Sequence, residues 1–313
     1  MRSGSGLPVF PWGLVGLVTV PLGILAVITY CRIFPPILFS DAAYYASALP
    51  ALTGDAPLYS AASMQPHVLP PPPFWDQAPS TAIFSAVLLL PGHKLLWGLL
   101  LVACVLAGIL ILTPPLGGGV VLYAPVMAAL PPVIEGMAWG NLNALVFLLL
   151  AIAWRWPRYA GWAVGIAAAA KLIPIVLVAW LIGRRDWRGV LIAVTIPVVF
   201  TVVVVLLTSP SVLVDFVTVR LHQQMNPNEF RLGLGDIGVP QPVVWLIGAA
   251  IVGLAAWKAS FSLAVLAMMV LAPGLHLHYW LFALVPVLGI GVPLLIQRDE
   301  VPLPPIRAAP RSC

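Results

Sequence analysis

GWAVGIAAAAKLIPIVLVAWLIG, Gly161 to Gly183, is the stretch on which the fold turns. It is apolar and long enough to cross a bilayer, which takes about 20 such residues. Yet Lys171 and Pro174 stand in its middle, Arg158 precedes it, and Arg184, Arg185 and Arg188 follow. Positive residues gather on the cytoplasmic side of membrane segments, so both ends read as cytoplasmic. A single span cannot satisfy that. Two half-helices that enter the membrane and return can, because broken backbone is tolerated at membrane depth when protein buries it. The stretch is predicted to be re-entrant, turning at Lys171 and Pro174; the other reading is one span that breaks the charge rule at one end.

Composition supports a membrane setting. Of 313 residues, 61% are hydrophobic and 8% charged, with a mean hydropathy of +1.05. A soluble domain carries about 25% charged residues, so the chain reads as a polytopic membrane protein. The net charge of +5 does not indicate nucleic-acid binding, because Lys and Arg sit mostly between apolar runs. Cys31, Cys104 and Cys313 show neither metal spacing nor a disulfide framework. The 33 Pro and 26 Gly predict kinked, broken or short helices.

Outward from the central stretch, the chain reads as follows. Trp12–Tyr30 is a first span leaving a cytoplasmic N-terminus, retained rather than removed as a signal peptide. The region 32–77 carries Asp41, Asp55 and Asp76 and, after Arg32, no Lys or Arg, which suits the outer side. Its HVLPPPPFW (His67–Trp75) must be extended. Phe74–Leu90 returns inward to His93 and Lys94, and Leu95–Leu112 goes out again. Val120–Ile134 and Asn141–Trp154 are short, predicting one half-helix plus one span or one broken span, ending inside at Arg155. Gly189–Thr208 goes out, Ser209–Pro240 is a second outer polar region, and Val243–Trp257 returns to Lys258. Phe261–Ala272 goes out and Tyr279–Ile296 comes in. The expected fold is an all-α polytopic transmembrane bundle with about 8–11 membrane helices, half-helices included. Residues 1–297 form one domain, and 298–313 a disordered cytoplasmic tail.

The first outer region opens with SDAAYYASALPALTGDAPLY, Ser40 to Tyr59. Asp41–Leu52 reads as a short helix capped by Ser40 or Asp41. Tyr44, Tyr45, Ala48, Leu49 and Leu52 share one face, as in an amphipathic helix lying along a membrane surface. Asp41 there is a candidate base, or simply the cap. Asp55 is the runner-up, or a plain turn residue beside Gly54. Lys171, an intramembrane charge, holds an anion or snorkels to the cytoplasmic surface. His276 and His278 point apart on a helix, so one faces a site, or both are core histidines. Glu135, Asn141 and Asn143 line a cavity or tie half-helices together. Arg220, His222 and Arg231 bind an anion or lie on a solvated loop. A zinc site has no supporting motif.

Five pieces in order resemble a known family. They are Asp41-x-x-x-Tyr45 followed by GDAPLY (Gly54–Tyr59), PPPFW (Pro71–Trp75), Gly140-Asn-Leu-Asn143, Lys171-x-x-Pro174 with its basic cluster, and His276-x-His278-Tyr279. The chain is similar to the polyprenol-phosphate-mannose-dependent mannosyltransferases of glycosyltransferase family 87, of the GT-C class, although it is short for that family. Asn141 stands where the family often has Gln. The resemblance implies a GT-C fold and transfer of mannose from a polyprenyl-phosphate donor to a glycolipid or glycan acceptor, inverting, on the outer face of the cell membrane. It implies Asp41 as general base, with His276, His278, Lys171, Asp55, Tyr45, Tyr59, Asn143 and Arg220 as candidates for binding donor or acceptor. The expected partners are donor, acceptor and membrane lipids, without nucleic acid, cofactor or metal. A transporter or flippase, or a catalytically inactive paralogue, is the competing reading.

Overall fold

The computed structural model describes residues 40–60, 63, 77–90, 93–112, 130–222, 233–272 and 275–286. The expected span Trp12–Tyr30, the Pro-rich segment 67–75, the stretch 120–129, the loop 223–232 and the tail 298–313 lie outside these residues. So do the side chains of Ser40, Asp41 and His278, and with them the expected capping of the first helix.

All described regular structure is helical. The first helices are α1 (Ser40–Ala46) and α2 (Leu49–Leu52), followed by a 3-10 segment at Pro79–Leu89. Then come α3 (His93–Leu112), α4 (Pro131–Trp139) and α5 (Asn143–Arg155). A 3-10 turn, Pro157–Tyr159, leads to α6 (Ala160–Ala170), a 3-10 segment at Ile173–Leu177 and α7 (Val178–Gly183). Helices α8 (Trp187–Leu207), α9 (Val212–His222), α10 (Gln241–Trp257) and α11 (Phe261–Leu271) precede a final 3-10 segment, Leu277–Ala283. Two helices have the length and composition of a membrane span, at Leu95–Leu112 and Trp187–Leu207, yet only 39% and 22% of these windows are buried. A core helix of a soluble protein would be mostly covered. Here Leu95, Leu99, Leu191, Val198 and Leu206 are exposed, as lipid-facing side chains are.

Close approaches fix the relative directions. A Cβ on Gly161 would lie 2.6 Å from Gly189 Cα, and one on Gly165 would lie 3.1 Å from Ala193 Cα. Thus α6 and α8 start side by side and run parallel. Helix α7 ends at Gly183, joined to the start of α8 by a tight turn in which Arg185 N donates to Ile182 O (2.8 Å) and Asp186 N to Leu181 O (3.0 Å). It therefore ends at the level where α6 began, although α6 has climbed about 15 Å in between. The chain reverses at Lys171, as the charges flanking this stretch predicted. Pro174 lies in the 3-10 segment on the returning side.

Helix α10 descends to the same level, since a Cβ on Gly183 would collide with the carbonyl oxygen of Ala256. Helix α11 climbs back beside it, with Leu271 filling the space at Gly248. These directions agree with the predicted senses of Gly189–Thr208, Val243–Trp257 and Phe261–Ala272.

Three expectations need correction. Leu95–Leu112 was expected to run opposite to Asn141–Trp154. Instead Trp97 Nε1 donates to Gly140 O (2.8 Å) at the start of α5, and Gly108 packs on Phe147 further along. Hence α3 runs parallel to α5 and away from His93 and Lys94, which start at the end opposite Arg155. A lone lysine was too weak a marker of sidedness. Phe74–Leu90 is not a full span, because its described helical part, Pro79–Leu89, is a 3-10 segment of about 22 Å. The expected single helix Asp41–Leu52 breaks at Ser47–Ala48, where Ser47 Oγ donates back to Tyr44 O (2.6 Å) and Pro50 has no N–H for a helical bond.

Candidate functional site

The end of the bundle opposite the arginines carries the turn Gly140–Leu142. Pro131 and Pro132 preset the first turn of α4. Gly140 ends it in a left-handed conformation (φ 71°, ψ 32°) that glycine adopts without strain. Asn141 Oδ1 accepts from Asn143 N (2.9 Å), satisfying the first N–H of α5. Leu142 N donates to the hydroxyl of Tyr45 at 3.5 Å, and the Tyr45 ring packs 5.6 Å from that of Trp97. The aromatic face of α1 is therefore covered by protein: Tyr44, Tyr45 and Ala48 are buried, against the expectation of a face laid on the membrane surface. Asp41 lies one turn before Tyr45 in α1, so the carboxylate-bearing helix is pinned to the Gly140–Asn143 turn.

Asn143 is wholly buried, and among the described residues neither Oδ1 nor Nδ2 has a partner. Trp139 Nε1, across the same turn, is likewise unpartnered there. Glu135 is half-buried on α4. The Asn143 amide and the Trp139 indole N–H are hydrogen-bonding groups withdrawn from water, an arrangement that a polar ligand satisfies.

Lys171 sits at the chain reversal with extended backbone (φ −149°, ψ 129°) and its side chain buried. The snorkelling alternative is not what the structure shows. The ammonium lies 3.5 Å from the Tyr279 hydroxyl, the outer limit of a hydrogen bond, and 4.9 Å from the ring centroid. It also adjoins the C-terminal end of α6, whose dipole favours a cation. Thr81 Oγ1 donates to Ala169 O (3.4 Å) and secures that helix end. The rings of Tyr279 and His276 stand 6.3 Å apart. The Leu277–Ala283 segment that carries Tyr279 packs on both α4 and α5, the helices flanking the Asn143 turn.

The structure thus brings Lys171 and His276 together around Tyr279, and Tyr45 together with the Asn143 turn. The other candidates lie apart. Asp55 is exposed in a turn, accepting from Thr53 Oγ1, as the plain-turn reading had it. Tyr59 is buried, donating to Gln77 O and packing on Phe216. Arg220 is exposed on α9, its guanidinium 5.6 Å from the Phe216 ring. Tyr279 was quoted within a motif yet not singled out; its signal was its place directly after the paired histidines.

Two exposed apolar helices long enough to cross a membrane, half-helices that reverse and a buried cation at their turn point to an all-helical membrane protein. The chain matches the model of glycosyltransferase family 87 over residues 77–285, more than half its length, and it belongs to that family. It is thereby a glycosyltransferase. The match includes Asn143, Lys171, Arg220, His276 and Tyr279; Asp41, Tyr45, Asp55 and Tyr59 precede it. No curated protein and no solved structure matches the chain.

Proposed function

We propose that the protein transfers mannose from polyprenyl-phosphate-mannose to a hydroxyl of a glycolipid or lipid-linked glycan, on the outer face of the cell membrane and with inversion. The domain is taken as residues 1–297, with the arginine-bearing end in the cytoplasm. The observation that carries the reading is the buried Lys171 ammonium at the chain reversal, beside Tyr279. A cation at membrane depth suits a lipid phosphate, and intramembrane charges are costly enough to be functional as a rule.

In the proposed reaction the acceptor hydroxyl attacks the anomeric carbon and gives its proton to Asp41. The bond between that carbon and the phosphate oxygen breaks, and the electron pair leaves with polyprenyl phosphate. Lys171, with His276 or His278, stabilises the charge on the departing phosphate. The unpartnered Asn143 amide supports a role in holding sugar hydroxyls. Tyr45 positions the Asp41 helix. Tyr59 supports the same outer region, while Asp55 and Arg220 are left for outer contacts with acceptor or donor.

The test is sugar transfer in membranes carrying wild type or Asp41→Asn, with labelled polyprenyl-phosphate-mannose as donor. Label should enter a lipid or glycan with wild type and fall by about 10²-fold or more in the variant. Transfer surviving in Asp41→Asn would remove Asp41 as base and make Asp55→Asn the next variant. A folded wild type that transfers nothing to a broad acceptor mixture would favour transport or an inactive paralogue.

A further inference from the structure

One end of the molecule gathers cations from three separate turns. Arg155 closes α5 and Arg158 lies in the turn after it; Arg184, Arg185 and Arg188 bracket the α7–α8 turn; Lys258 follows α10. These turns share one level because Gly161 touches Gly189 and Gly183 abuts Ala256 and Ala259. Phe261 packs tilted against Trp154 (5.1 Å) and edge-to-face against Trp180 (4.9 Å), which holds the same three elements together. All six cations are exposed. Asp186 is the one described carboxylate among them, and it is engaged in capping α8, accepting from Gly189 N at 2.9 Å. The α7–α8 turn is firmly shaped: Arg185 has left-handed backbone (φ 57°), held by the hydrogen bonds from Arg185 N and Asp186 N.

A convergence of six cations with one engaged carboxylate calls for anions. Its setting indicates which. Trp156, Trp187 and Trp257 are exposed at the same level, and indole rings partition to the headgroup zone of a bilayer. Several of the cations lie against aromatic faces: Arg158 is 4.5 Å from the Tyr159 ring centroid, Arg184 5.0 Å from Trp180 and Lys258 4.1 Å from Trp257. The rings and aliphatic stems offer apolar contact for a glycerol backbone beside the charged heads, which lie over those rings. A free phosphate would use only the charges. We propose that this end is a binding collar for anionic phospholipid headgroups, centred on the α7–α8 turn and flanked by Arg158 and Lys258. The collar lies at the opposite end from the Asn143 turn, and the proposal does not rest on the transfer reaction.

The test uses the purified full chain in detergent, with phosphatidylglycerol and phosphatidylcholine offered in equal amounts and bound lipids counted by native mass spectrometry. Wild type should retain phosphatidylglycerol at least ~10-fold over phosphatidylcholine, with the preference falling as salt rises because the exposed charges are screened. Arg184→Gln/Arg188→Gln should bring the preference towards parity. Lys258→Gln, on a different turn, should lower it as well, and serves where the double variant does not fold. Equal retention of the two lipids by wild type would overturn the proposal. So would an unchanged preference in the folded variants, or displacement of the lipid by millimolar inorganic phosphate, which would mark an adventitious ion only.

Discussion

A buried amide with neither polar atom paired costs about 1–3 kcal/mol of desolvation, and Asn143 bears that cost among the described residues. Asn143→Leu keeps the branching and heavy-atom count of the side chain, with bulkier methyl ends, and removes the two unpaired polar atoms. If Asn143 exists to hold sugar hydroxyls, the variant should be as stable as wild type or more so, by up to about 1–3 kcal/mol, while transfer drops about 10-fold or more. Thermal unfolding and transfer assays on one preparation separate the two effects. A lower melting temperature with unchanged transfer would make Asn143 a structural strut. Nothing in the local sequence marks this amide as unpaired, because Asn141, two residues earlier, has the same chemistry and spends its Oδ1 on the N–H of Asn143. Lys171 was more legible: a charge inside an apolar run needs a partner wherever the chain goes. Its neighbour Tyr279 lies 108 positions on and could be joined to it only by the fold.

At the scale of elements, the helix break was readable because several signals agreed: Lys171, Pro174 and arginines at both ends. The direction of α3 was not, because it hung on Lys94 while the bond that decides it, Trp97 to Gly140, is long-range. Helix α9 was also hidden, since Asp215 and Arg220 made its segment look like part of a polar loop, whereas Leu213, Val214, Val217 and Leu221 form an exposed apolar row. The reversal itself depends on close backbone approach. Gly183→Ala would drive a methyl into the Ala256 carbonyl, and α7 must move off α10 to admit it. Overpacking of that kind costs about 1–3 kcal/mol. Gly253→Ala, on the same α10, meets nothing within 4 Å and should stabilise by about 0.5–1 kcal/mol through helix propensity. Melting midpoints of the two variants in one detergent should move in opposite directions. If Gly183→Ala left the midpoint unmoved, the α7–α10 contact would not be tight.

Across the whole molecule, the six-cation collar and the candidate site stand at opposite ends, with Lys94 at the site's end. The cation collar lies where α5, α7 and α10 finish and α6, α8 and α11 begin. At the other end stand the Gly140–Asn143 turn and Tyr45. Lys171 is raised from the collar by about 15 Å, half of a hydrocarbon core about 30 Å thick. A lipid phosphate drawn to Lys171 from the far face would sit below the surface, with its sugar nearer the Asn143 turn. This arrangement works in only one orientation if the donor is presented on the outer face, and the positive-inside tendency selects that one. In whole cells, Asp55→Cys should react with a membrane-impermeant maleimide, whereas Arg185→Cys should react only after permeabilisation. Both positions are exposed, so access to reagent is set by the membrane. The native Cys104 is buried, and Cys31 and Cys313 are replaced by Ser in both variants, so the introduced thiol carries the label. Labelling of Arg185→Cys in intact cells, with Asp55→Cys protected, would invert the protein and put the site on the cytoplasmic face. An outer-face polyprenyl-phosphate donor would then have no route to Asp41, and the proposed substrate would have to be replaced by one available in the cytoplasm.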